Sequence, residues 1–197
     1  MRMKILFATN NEHKVREINA ILPESIELLK PSDAGYYDDI PETGDTLEEN
    51  ALMKARRIFQ ITGIPSFADD TGLEIESLGG EPGVRSARYA GEDKDMEKNI
   101  ALVLERLGST NDRQARFRTV IAFVTAKGEH LFEGTVSGTI LREKRGTSGF
   151  GYDPVFMPDG SNLTFAEMTG DQKNEISHRS AAFGKLSRFL AITTDIQ

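Results

Sequence analysis

The stretch SFADDTGLEIESLGG, Ser66 to Gly80, decides how the rest of the chain is read. Gly63 and Pro65 break what precedes it, so Ser66-Phe67-Ala68 reads as a short strand. Asp69 and Asp70 follow side by side, with Thr71-Gly72 as a turn, and Leu73, Ile75 and Leu78 then resume apolar character. A strand that delivers two carboxylates into a tight bend places negative charge at a sheet edge. Adjacent carboxylates repel, and they need a cation, a set of donors or open water. A divalent metal carrying phosphate answers that need, because Mg²⁺ prefers one or two carboxylates plus phosphate oxygens. Asp and Gly also favour turns for backbone reasons alone, so the flanking chain has to decide.

Upstream, Thr46 with Glu49 three residues on is a capping box that opens a helix. Leu47, Ala51, Ala55, Ile58 and Phe59 form its apolar stripe, which runs to Gly63. Glu42 lies in the loop ahead of that helix, with Asp38 and Asp39, and Lys54 falls roughly two turns into it. At the start of the chain, residues 4–9 read as a buried first strand that Asn10 and Asn11 break. Glu12 to Leu22 then reads as a helix with Val15, Ile18 and Leu22 on one face, stopped by Pro23. Strand, tight polar turn, helix is a place where phosphate binds well, on free N–H groups at the helix start. Lys14 in the first turn works against the helix dipole, which predicts an anion beside it. The glycines and the GK[ST] end of a Walker loop are missing.

Downstream, a glycine-rich connection leads to a helix over Asp93 to Leu107, where Met96, Ile100, Val103, Leu104 and Leu107 make a core-facing stripe. Gln114 to Ala126 and Glu129 to Arg142 are two long strand candidates joined by Lys127-Gly128, a hairpin signal that makes the sheet mixed. Next, Gly146, Gly149 and Gly151 alternate with Phe150 and Tyr152 ahead of Asp153-Pro154. Glycine lets backbone approach a ligand closely. Phe150 on such a loop offers a stacking face for a base, or else it anchors the core. Val155-Phe156-Met157 reads as a strand, and 161–174 as a loop with a short helical turn at TFAEM, Lys173 lying near its end. Ser177 is a plausible N-cap for a last helix with Ala182, Leu186, Phe189 and Leu190 on its apolar face. His178 and Arg179 in its first turn repeat the pattern of Lys14, donors at the end of a helix where anions are favoured.

The chain has 197 residues, 38% hydrophobic and 28% charged, which fits a soluble globular protein with a real core. No apolar run approaches the roughly 20 residues of a membrane span, and the N-terminus lacks a signal-peptide h-region. There is no cysteine, which excludes disulfides and thiolate metal sites. A net charge of −7 disfavours coating nucleic acid. These features predict a cytoplasmic protein with no nucleic-acid and no membrane partner.

Three carboxylates (Glu42, Asp69, Asp70) on loops or strand ends, four cations (Lys14, Lys54, Lys173, Arg179) near helix starts, and a Gly-aromatic loop suit a nucleoside polyphosphate. Metal would lie on the carboxylates, phosphates on the cations and the base against the aromatic. The motifs TNNEHK (9–14), ETG with ENALMKA (42–55), FADDTGLEI through SARY (67–89), GTSGFGYDPVF (146–156) and QKNEISHR (172–179) together resemble the inosine/xanthosine triphosphate pyrophosphatase family. They run in the family's order over nearly the whole chain.

The resemblance implies an α/β fold: a long mixed central β-sheet flanked by helices, one domain over residues 1–197 with two lobes and a substrate cleft between them, and a homodimer. It implies Mg²⁺-dependent hydrolysis of ITP, dITP and XTP to the monophosphate and pyrophosphate, cleansing the nucleotide pool. Asp70 would accept the proton from water and bind metal with Glu42, Asp69 supporting. Thr9, Asn10, Asn11, Glu12, His13 and Lys14 would hold phosphates, with Lys54 and Lys173, and Thr71 would touch the substrate. Phe150 would stack on the base, Gly151, Tyr152 and Asp153 would shape its pocket, and His178 and Arg179 would donate to the 6-oxo group. Asn10 stands where the family usually has Gly, and Asn tolerates the left-handed conformation, so the turn should survive. Thr71 replaces the usual Ser and keeps the hydroxyl. Two other readings are a pyrophosphatase of related fold acting on pyrimidine or modified nucleotides, and a nucleotide-binding module without turnover.

Overall fold

The structure, a computed structural model, describes residues 2–38 and 40–194. Asp39, one of the acidic loop residues singled out above, lies outside the described residues. The strands are β1 (Met3–Phe7), β2 (Ile26–Leu29), β3 (Ser66–Ile75), β4 (Pro82–Gly83), β5 (Gln114–Thr125), β6 (Gly128–Ile140) and β7 (Phe156–Pro158). The helices are α1 (Glu12–Asn19), α2 (Leu47–Thr62), α3 (Met96–Leu107), α4 (Gly170–Ile176) and α5 (His178–Thr194). One sheet runs in the order β2-β1-β3-β5-β6-β7, with β4 added to β3. β1 pairs in parallel with β2 and β3, matching Leu6 with Ser66 and Phe7 with Phe67. β7 pairs antiparallel with β6, and the two-residue link between β5 and β6 is too short for a parallel crossover. The fold is therefore α/β with a mixed sheet, as expected.

The chain divides into two compact units, one of residues 1–70, 119–134 and 179–197, the other of 71–118 and 135–178. In the first, α1 and α5 supply Val15, Ile18, Phe183 and Leu186 to a core that also takes Ile5, Phe67 and Ile121 from the sheet. Phe7 and Phe67, register partners on neighbouring strands, stack at 4.4 Å. In the second, Ile100, Val103 and Leu107 of α3 pack with Leu73, Phe117, Ile140, Phe156 and Phe165. Among the described residues, no helix is long and apolar enough to cross a membrane.

Local differences from the sequence reading have physical causes. Ala68 to Gly72 is not a turn: β3 runs unbroken from Ser66 to Ile75. Gly72 serves a close approach instead, since a Cβ there would lie 2.7 Å from the Gly83 carbonyl oxygen of β4, its neighbour strand. Residues 170–174, the end of the stretch read as loop, belong to α4 (Gly170–Ile176), behind the capping box of Thr169 and Gln172. A helix that starts on Gly170 and lacks an apolar stripe carries no period to read. α1 stops at Asn19 rather than Leu22, closing with a tighter bond from Ile21 N–H to the Ile18 carbonyl. Asn10 does not take up the left-handed freedom argued for it; Lys94 is the non-glycine residue at positive φ among those described.

Candidate active site

The first unit gathers a polar cluster around β3. Successive strand residues face opposite ways, so Asp69 and Asp70 meet different partners. Asp69, 1% exposed, accepts from Lys14 Nζ at 2.9 Å through Oδ1 and from Arg179 Nε at 3.1 Å through Oδ2. The anion that Lys14 requires at the start of α1 is thus Asp69. Arg179, 2% exposed, also donates to Glu17 of α1. Asp70 accepts from Asn50 Nδ2 at 3.1 Å through Oδ2, and its Oδ1 lies 3.8 Å from Lys54 Nζ. Lys54 donates to Glu42 Oε1 at 2.6 Å and to the Asp69 carbonyl at 2.7 Å.

Burial and charge set the protonation of this cluster. Burial pushes the Asp69 carboxyl up, but Lys14, Arg179 and Lys54 together hold it well below the usual carboxylate range. Burial also pushes Asp70 up, and there it prevails over the pull of Lys54 and Lys14, with Glu42 adding to the rise. Lys54 is pulled down by burial, yet Asp70, Glu42 and Asp69 bring it above its ordinary value. Lys14 stays below its ordinary value, because burial outweighs Asp69.

The residues expected to hold phosphates sit at the start of α1. Thr9 Oγ1 accepts from Asn11 N–H, and Asn11 Oδ1 caps the helix by accepting from the His13 and Lys14 N–H groups. Asn10, Glu12 and His13 are exposed, Glu12 pairing with Lys30 at 2.8 Å. Among the described residues, no group of three or more Asp, Glu or His is spaced to hold a metal by itself. Glu42 and Asp70 still fit a divalent cation that brings further oxygen ligands, since the Lys54 ammonium already sits with a positive charge close to both.

The second unit holds the glycine-aromatic group. Asp153, buried, accepts from the Phe150 N–H at 2.8 Å and from Lys173 Nζ at 2.7 Å. The Lys173 ammonium lies 4.9 Å from the half-buried Phe150 ring, a cation–π contact. Gly149 at φ +79° lets the loop close over Asp153, since a Cβ there would lie 2.2 Å from its Oδ2. Gly151 follows at φ +63°. Tyr152 is buried and donates to the Ser86 carbonyl at 2.8 Å. His178, 3% exposed, stacks on Phe117 at 4.7 Å. Thr71 is half-buried on β3.

Of the residues singled out in the sequence, the structure brings together Glu42, Lys54, Asp69, Asp70, Lys14 and Arg179, and separately Phe150, Asp153 and Lys173. The sequence analysis does not single out Asn50 or Glu17 as site residues. Both sit on helices where a polar residue signals nothing, although Asn50 inside the first turns of a helix is a weak helix former and so was a clue.

The model of the Ham1 family matches residues 5–189. A dITP/XTP pyrophosphatase of Porphyromonas gingivalis is 52% identical over 188 residues, covering 95% of this chain and 97% of that protein. One from Christiangramia forsetii is 52% identical over 96% of this chain and 100% of its own. The structure of the Staphylococcus aureus Ham1 protein superposes with a TM-score of 0.87 at 41% identity, covering 95% of this chain and 98% of that one.

Proposed function

The chain belongs to the Ham1 family, and we propose on that footing that it hydrolyses the non-standard purine nucleoside triphosphates ITP, dITP and XTP to monophosphate and pyrophosphate, with Mg²⁺. It is an enzyme, a hydrolase of triphosphate anhydrides, like the relatives that share half of its residues. The observation that carries the reading is the pair Glu42 and Asp70 gathered around Lys54 beside a third, fully ion-paired carboxylate, Asp69. A module that only binds polyphosphate gains nothing from buried acids.

Glu42 and Asp70, supported by Asp69, would hold the metal, which neutralises charge on the phosphates as pyrophosphate leaves. Asp70 takes the proton of the attacking water. Burial favours its neutral form and so strengthens its carboxylate as a base. Thr9, Asn10, Asn11, Glu12, His13 and Lys14 at the start of α1, with Lys54, hold the phosphates, and Thr71 contacts the substrate. Lys173 helps hold the phosphates, and Phe150 stacks on the base. Gly151, Tyr152 and Asp153 shape the loop around that ring. His178 and Arg179 donate to the 6-oxo group. Adenine presents a donor at that position, so an N–H aimed there loses its acceptor, at a cost of about 1–3 kcal/mol. All 197 residues would act as one catalytic domain in a cytoplasmic homodimer.

The test is pyrophosphate release with and without Mg²⁺ from ITP, dITP, XTP, GTP, ATP, dTTP and UTP. Metal-dependent release mainly from the first three is expected. Release mainly from dTTP or UTP would keep the chemistry and overturn the base assignment. Nucleotide binding with no release from any would replace the enzyme by a binding module.

A further inference from the structure

Asn50 is 1% exposed, in the second turn of α2, where the helix ladder alone would ask for an apolar residue or alanine. Burying an amide costs free energy unless its groups are bonded. Both ends of this one are used. Its Oδ1 accepts from the Gly44 N–H at 2.8 Å, and its Nδ2 donates to Asp70 Oδ2 at 3.1 Å. The orientation of the amide is forced, because an N–H can face only the oxygen and a carboxylate only the nitrogen. Gly44 stands two residues from Glu42 and presses close: a Cβ there would lie 2.9 Å from Asn50 Oδ1 and 2.7 Å from Glu49 Cβ. Four residues along the same face of α2 is Lys54, which holds Glu42 Oε1. The helix therefore grips the Glu42 loop and Asp70 twice, once by a cation and once by a neutral bridge.

We propose that Asn50 is a positioning residue for hydrolysis: it ties Asp70 to the Glu42 loop and engages Asp70 Oδ2, which directs Oδ1 toward the metal and the attacking water. This rests on the pyrophosphatase reading above. Residues that orient metal-binding carboxylates typically matter by 10–100-fold in affinity or activity.

Three variants test it. Asn50→Ala removes both bonds. Asn50→Asp keeps the shape and an acceptor for Gly44, but sets a carboxylate against Asp70. Thr46→Ala removes the N-cap of the same helix and touches neither acid. The readouts are kcat and KM for pyrophosphate release, melting temperature, and calorimetric Mn²⁺ binding to the nucleotide-free protein. Expected are a fall in kcat of about 10–100-fold for both Asn50 variants with KM within threefold, and for Asn50→Ala a Mn²⁺ affinity weaker by a similar factor. Thr46→Ala should lose melting temperature and keep both kcat and Mn²⁺ affinity. Asn50→Ala with kcat and Mn²⁺ affinity within twofold of the parent would overturn the proposal. So would Thr46→Ala falling as far in kcat at an equal loss of melting temperature. If Asn50→Ala fails to fold, the isosteric Asn50→Asp decides on kcat alone, and a kcat within twofold of the parent would overturn the proposal. Should the parent release no pyrophosphate, the functional reading fails, and the Mn²⁺ affinities alone still decide whether Asn50 sets the acids.

Discussion

Burial acts on Asp69 and Asp70 alike, favouring the protonated form of each, and their partners then separate them. Asp69 meets Lys14 and Arg179 and is held ionised. Asp70 meets a neutral amide and a more distant ammonium, and its carboxyl rises. One acid is fixed as a counter-ion and the other is left basic enough to take a proton. Asp70→Asn should therefore cost about 10²–10⁴ in kcat. An amide at position 70 keeps an oxygen for the Asn50 donor and removes a charge that burial penalises, so the melting temperature should stay within a few degrees. Pyrophosphate release and thermal unfolding, measured on one preparation, check both halves. Activity within tenfold of the parent would take the proton from Asp70.

At the scale of elements, β3 does what a turn could not. A turn would aim both carboxylates at one side, where they repel. A continuous strand turns them to different partners, Asp69 to Lys14 and Arg179, Asp70 to Asn50 and the more distant Lys54. Gly72 keeps the strand whole by admitting the Gly83 carbonyl of β4. Gly72→Ala should destabilise by about 1–3 kcal/mol through overpacking against backbone, read as a lower urea midpoint at an unchanged slope. A stability equal to the parent's would show that β4 is free to move aside. This element also marks where the sequence was legible. The long helices with caps and apolar stripes, α2 and α3, and the β5–β6 hairpin were readable because their periods repeat over a dozen residues or so. Asp-Asp-Thr-Gly mimicked a turn because turn propensity is local, whereas the Gly72–Gly83 approach is tertiary and leaves no local mark. α4 was missed for want of an apolar face. Most candidate site residues could be named from motifs, but which acid meets which cation could not, since Lys14, Asp69 and Arg179 lie 55 and 110 residues apart.

Across the whole molecule, the buried cluster should govern acid stability. The chain carries 31 acidic residues against 24 Lys and Arg, and a charge on the open surface is screened by water and salt. Asp69 differs. Its folded pKa lies below its unfolded value near 4, so the stability it contributes is full above that pH and is lost as the pH falls toward the folded pKa. In that window the unfolded chain binds about one more proton than the native one, a slope of about 1.4 kcal/mol per pH unit. Asp70 has the opposite sign. Its contribution is full below its unfolded pKa and declines as the pH rises through its raised folded value, so it softens the acid limb and cannot cause it. Urea unfolding of the parent between pH 2 and pH 7 should show stability falling steeply below about pH 4. Asp69→Asn should flatten that limb. It should also be less stable at pH 7 by about 3–5 kcal/mol, because Lys14 and Arg179 remain buried with one carboxylate fewer. Parallel acid limbs in the two proteins would move the origin of acid sensitivity away from Asp69 and onto the other carboxylates, the buried Asp153 paired with Lys173 among them.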